Sequence, residues 1–117
     1  TEVWEGLNNG SALITGVVVV RSDFAEQHPQ QIAAFLEEYR KSVEFVNANI
    51  PEAAQLIEKF NIFKAAVAQK ALPYCNITFM EGEEMKDKVK GYLNVLFEQN
   101  PKSIGGKLPD DEFYYIK

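Results

Sequence analysis

Residues Leu13 to Val20 read Leu-Ile-Thr-Gly-Val-Val-Val-Val, a nearly unbroken β-branched run closed by Arg21-Ser22-Asp23. A run of this kind suits a strand buried on both faces, as in the interior of an α/β sheet. Such a strand needs a neighbour on each side, because its N–H and C=O groups have to be paired. The remainder supplies one weak strand candidate, Asn76 to Met80, where Ile77 and Phe79 alternate with Asn76 and Thr78. One dominant strand and one short one among helices predict an α/β fold class, as a mostly helical piece of a larger sheet protein.

The helical pattern is clear elsewhere. Asp23-Phe-Ala-Glu26 fits a capping box, with the acid at the N-cap and Glu at the third helical position. Pro29 suits the first turn of a new helix, where its missing N–H is not needed. From Pro29 to Asn49, the residues Ile32, Phe35, Leu36, Tyr39, Val43 and Val46 recur at helical spacing, and Phe35, Leu36, Tyr39, Val43 and Val46 are expected to be buried. Pro51 opens a shorter helix that Asn61 ends, since Asn accepts left-handed backbone. A third helix spans roughly residues 63–72 before Pro73, and a fourth spans about 83–99, striped by Met85, Val89, Tyr92, Leu93 and Leu96. Gly91 inside the fourth costs roughly 1 kcal/mol against Ala, which predicts close packing of another element there. Residues 1–117 read as a single partial domain.

Formal net charge is −5, which argues against nucleic acid as a partner, because such a partner calls for concentrated Lys and Arg. Cys75 is the only cysteine, so an intrachain disulfide and a CxxC metal or redox motif are both excluded. No apolar stretch approaches the roughly 20 residues of a bilayer span. Thr1-Glu2-Val3-Trp4-Glu5 has neither the basic start nor the apolar core of a signal peptide.

Candidate chemistry is sparse. His28, the one histidine, precedes a helix-opening proline and reads as structural rather than catalytic, with no nucleophile and acid spaced to serve it. Glu81, Glu83, Glu84 and Asp87 read as a solvated helix start favoured by the macrodipole, not a metal site. Asp110-Asp111-Glu112 lacks calcium-loop spacing, and Gly105-Gly106 is too short for a phosphate loop. Tyr114 and Tyr115 read as an anchor for the end of the chain, with ligand stacking as the alternative. Asn8, Asn9, Ser11 and Thr15, near the start of the expected strand, are open to a polar ligand contact without being assigned as a site. Cys75 reads as a small buried hydrophobe. No catalytic, metal-binding or cofactor-binding residue is assigned, no cofactor is expected, and the ligand-binding residues stay unknown.

Three stretches, in order, carry a family resemblance: Thr15-Gly-Val-Val-Val-Val-Arg-Ser-Asp-Phe24 followed by His28-Pro29, Asn47-Ala-Asn-Ile-Pro-Glu-Ala-Ala54, and Gly105-Gly-Lys-Leu-Pro-Asp-Asp-Glu-Phe-Tyr-Tyr115. Together they resemble the C-terminal portion of ABC-importer periplasmic solute-binding proteins of the nitrate/sulfonate/taurine-like group, which shares its fold with thiamine-pyrimidine precursor proteins. Ile50 and Asn61 depart from what that resemblance suggests. The resemblance implies a two-lobed type II periplasmic-binding-protein fold, with Leu13 to Val20 as a segment returning between lobes. It implies a non-enzymatic role in the parent: capture of a small-molecule solute for an ABC permease, in the periplasm or lipid-anchored to the outer face of the membrane. Two alternatives stay open, a thiamine-pyrimidine precursor biosynthesis enzyme on the same fold and an autonomous helical interaction domain. An unpaired apolar strand also predicts a strand-mediated homodimer of this chain.

Overall fold

The computed structural model describes residues 2–7 and 10–116. In chain order come α1 (Glu2–Glu5), α2 (Ser22–Gln27), α3 (Pro29–Ala48), α4 (Ile50–Lys59), α5 (Ala65–Ala71) and α6 (Gly82–Gln99), with 3-10 turns at Leu72–Tyr74, Pro101–Ile104 and Asp111–Phe113. Of the described residues 66% are helical and none is in a strand, so the expected α/β class is wrong and the architecture is all-α. Neither Leu13 to Val20 nor Asn76 to Met80 forms a ladder. The reason lies in the pairing requirement: a strand cannot close its hydrogen bonds within itself, and no second strand is present among the described residues.

The chain forms two compact units, Val20–Phe79 and Thr1–Val19 with Met80–Lys117. The first is built on α2 to α5. Arg21, not Asp23, is the N-cap of α2. Asp23 lies inside the first turn, where its carboxylate accepts from the Arg21 guanidinium at 3.0 and 2.6 Å and from the Phe24 N–H at 2.9 Å. Arg21 holds that carboxyl below its ordinary pKa. His28 both ends α2 and caps α3, and Pro29 takes the first-turn position.

The stripe of α3 follows the sequence with one correction. Ile32 and Val43 are buried and Leu36, Tyr39 and Val46 are half-buried, but Phe35 is 48% exposed. Phe35 lies to the side of the stripe and stacks along the helix surface on Tyr39, ring centroids 5.8 Å apart. The outer face is laced by Arg40 with Glu37 and Glu44, and by Lys41 with Glu37 and Glu38. Such exposed pairs contribute little individually.

Helix α4 packs chiefly on α5. The seam is small: Ala54 with Ala65 and Ala68, flanked by Ile57. Helix α4 ends in a Schellman motif. Asn61 adopts φ +57, its N–H donates to the Glu58 carbonyl at 2.9 Å, and the Ile62 N–H donates to the Ile57 carbonyl at 3.0 Å. This ending agrees with the role read for Asn61 and delays α5 to Ala65, later than residue 63. The segment after α5 is tied down by side chains instead of a ladder: Asn47 Nδ2 donates to the Ile77 carbonyl at 2.9 Å, and Tyr39 meets the ring of Phe79 edge-on at 5.5 Å.

The second unit is organised along α6. The residues Met85, Val89, Tyr92, Leu93 and Leu96 are half-buried, as their spacing suggested. The Trp4 ring lies 5.2 Å from that of Tyr92, and its indole N–H donates to Ser11 Oγ at 2.9 Å. Lys88 Nζ donates to the Gly10 carbonyl at 2.8 Å. Between them sits Gly91. A Cβ there would come within 2.6 Å of Ser11 Cβ and 3.3 Å of Ser11 Cα, which accounts for a glycine in mid-helix. Tyr114 is buried and Tyr115 half-buried, so the aromatic end is an anchor.

Three substitutions check these assignments by urea unfolding. Ile32→Ala is expected to cost about 2 kcal/mol or more, because it empties a buried position, whereas exposed Phe35→Ala should cost less than about 1 kcal/mol. The reverse order would show that the α3 face is misassigned. Gly91→Ala should lower stability by about 1 kcal/mol or more although Ala is the better helix former, since Ser11 offers Cβ and backbone to the new methyl. A gain in stability would show that residues 10–11 do not hold their place against α6.

Candidate functional site

Among the described residues, those that carry chemistry in the sequence are not brought together. His28 sits with its ring 4.6 Å from Phe24 and lines an open hollow of about 350 Å³ with Gln27, Pro29, Gln30 and Gln31. All five are consecutive, so the hollow has a single wall, and a small ligand there would keep most of its surface in water. A second hollow of about 240 Å³ is lined by Gly91, Asn94, Val95 and Glu98 along one side of α6 and has the same defect.

Glu81, Glu83, Glu84 and Asp87 are exposed around the first turn of α6. No three His, Cys, Asp or Glu side chains converge at metal distance among the described residues. Asp111 is committed to cations, with Oδ1 3.4 Å from Lys86 Nζ and 3.8 Å from Lys90 Nζ. Beside it burial pushes the Tyr114 phenol above its ordinary pKa, with the Asp111 charge adding and Lys86 opposing. Gly105 and Gly106 adopt φ +82 and +86 and close the 3-10 turn after α6, the Gly106 N–H donating to the Pro101 carbonyl at 2.8 Å. They act as a chain stop.

Of the four polar residues near the run, Asn8 and Asn9 lie outside the described residues, Ser11 accepts from Trp4, and Thr15 is exposed. Cys75 corrects its reading as a buried hydrophobe: it is exposed, and its thiol donates to the Ala71 carbonyl at 3.3 Å. It lies just past the 3-10 turn Leu72–Tyr74, where apolar alternation in the sequence suggested a half-buried strand.

Two exposed apolar segments stand out among the described residues. The first is the Val-rich run. Leu13, Val17, Val18, Val19 and Val20 are all exposed, Val19 by 81%. Among the described residues no backbone hydrogen bond is made by Leu13 to Val20. The run and the segment 75–81 contain the points where the chain leaves one unit for the other, at Val19–Val20, and returns, at Phe79–Met80. The second feature is the turn between α4 and α5, which was read from sequence only as a stop. Phe60, Ile62 and Phe63 are exposed there by 68, 62 and 66%. The turn is nevertheless firmly built. Glu58 Oε2 accepts from the Ala65 N–H at 2.7 Å, capping α5 from the preceding helix, and Glu58 Oε1 lies 3.6 Å from Lys64 Nζ.

No protein-family model, curated protein or solved structure matches this chain.

The Ala65 amide holds the Glu58 carboxyl below its ordinary pKa, with Lys64 adding to the effect and desolvation opposing it. A lowered folded pKa stabilises the fold above the unfolded value, about 4.3 for Glu, and that contribution disappears as pH falls through the folded value. Glu58→Gln is therefore expected to be less stable than the parent chain at neutral pH. The gap should close in acid, where both side chains are neutral. Parallel urea melts across pH check this, and a gap independent of pH would remove Glu58 ionisation from the turn.

Proposed function

We propose that this chain is part of an extracytoplasmic solute-binding protein that captures a small solute and hands it to the permease of an ABC importer. The observation that carries the reading is the double crossing of the chain between two compact units, once out and once back. In a hinged binding protein, closure on the solute is absorbed by the segments that join its two bodies. The order of Thr15–Phe24, Asn47–Ala54 and Gly105–Tyr115 supports the same reading. The units are helical, so the support comes from chain path and sequence, not from a shared sheet.

The all-α architecture favours a second reading, an autonomous helical interaction domain. Its recognition surface would be one of the exposed apolar segments, with no solute involved.

Calorimetric titration separates the two. The product of the whole gene should bind one of nitrate, an aliphatic sulfonate or an aminopyrimidine with a Kd of about micromolar or tighter. The present chain should bind none of them measurably, since its hollows enclose no ligand. A whole-gene product that binds none of them overturns the transport reading in favour of the interaction domain. Turnover of an aminopyrimidine precursor would overturn it in favour of an enzyme. Micromolar binding by the present chain would show that it already holds a complete site.

A further inference from the structure

We propose that the tip joining α4 to α5, Lys59-Phe-Asn-Ile-Phe-Lys64, is a docking surface for the face of an anionic lipid bilayer. The inference is independent of the solute-binding reading. Phe60, Ile62 and Phe63 occupy four consecutive positions with one asparagine between them, and each is more than half exposed. Exposed apolar surface concentrated in this way marks an interaction site more often than isolated residues do. Leu56, one turn before Phe60 on α4, and Val67, in the first turn of α5, are exposed as well.

The tip is also held in place. The Schellman bonds Asn61 to Glu58 and Ile62 to Ile57 fix its entry, and the Glu58 carboxylate on the Ala65 N–H fixes its exit. Ordering the apolar side chains at a surface therefore loses little of the conformational freedom that a flexible loop would lose.

Charge selects the occupant. Lys59 and Lys64 bracket the apolar residues, and Lys70 follows on α5. From Lys59 to Met80 there is no Asp or Glu, in a chain whose net charge is −5. The acid next to Lys59 in sequence, Glu58, is engaged by Ala65 and Lys64, and the Lys64 side chain is still largely exposed. An apolar tip rimmed by lysines fits a bilayer interface: aromatic and aliphatic groups enter the acyl boundary, while ammonium groups stay among anionic headgroups. No helix among the described residues is long and apolar enough to cross a membrane. The overall negative charge opposes non-specific attachment to anionic lipid, so binding would report the local patch.

Cosedimentation of the full chain with phosphatidylcholine vesicles, with and without phosphatidylglycerol, tests the proposal. Binding should be about tenfold tighter to the anionic vesicles and should weaken as salt is raised. Phe63→Ala and Lys59→Glu should each lower that affinity several-fold while circular dichroism shows the helices retained. Lack of binding to anionic vesicles overturns the proposal. So does binding that neutral vesicles match, or binding that neither substitution changes. Light scattering covers the competing occupant: a concentration-dependent dimer abolished by Phe63→Ala, without vesicle binding, would assign the tip to a second copy of the chain.

Discussion

A helix closes its hydrogen bonds within its own chain, and that self-sufficiency governs what this polypeptide can order. From Pro29 to Lys59 two helices follow one another with only Asn49 between them, and Asn49 is itself paired a turn away on both sides, its N–H donating to the Phe45 carbonyl and its carbonyl accepting from the Ala53 N–H. The Val-rich run has no such local solution. Its β-branched side chains oppose a helix, and a ladder requires a neighbour that is absent among the described residues. Regular structure therefore stops where local pairing stops, and Leu13 to Val20 is left in water with its valines exposed.

With little large apolar surface sequestered, the packing relies on small side chains. Ala54 is fully buried against Ala65 and Ala68, and such contacts hold two helices close without contributing much area. The bulky residues nearby, Phe60, Ile62, Phe63 and Leu56, face outward. At the α4–α5 seam the molecule therefore buries alanine, and the turn beyond it displays phenylalanine. The ionisable groups Asp23, Glu37 and Glu58 are each held below their ordinary pKa by a neighbouring donor, and each is bonded within a helix or a turn.

Much of this was legible in the residues themselves. Pro29 marked the start of α3, Asn61 the end of α4, and the α6 stripe its inward face, because proline, asparagine and helical periodicity act over a single turn. Gly91 announced a close neighbour, which is Ser11. Three errors share one cause. The strand at Leu13 to Val20, the burial of Phe35 and the burial of Cys75 were inferred from residue character, and each needed a partner that the sequence cannot locate. Asp23 failed more narrowly: α2 starts at Ser22 with Arg21 as its N-cap, so Asp23 falls inside the first turn.

The sequence by itself determined where α3 begins and α4 ends, the absence of an intrachain disulfide and the net negative charge. These depend on short-range dihedral preference and on composition. Tertiary structure alone decided that the β-branched run stays unpaired, that Glu58 reaches across the turn to cap α5, and that three apolar side chains stand in water between two lysines. Each of those outcomes depends on which distant groups arrive within hydrogen-bond or van der Waals reach. Residue type sets the need for such a partner, and only the folded chain determines whether it is met.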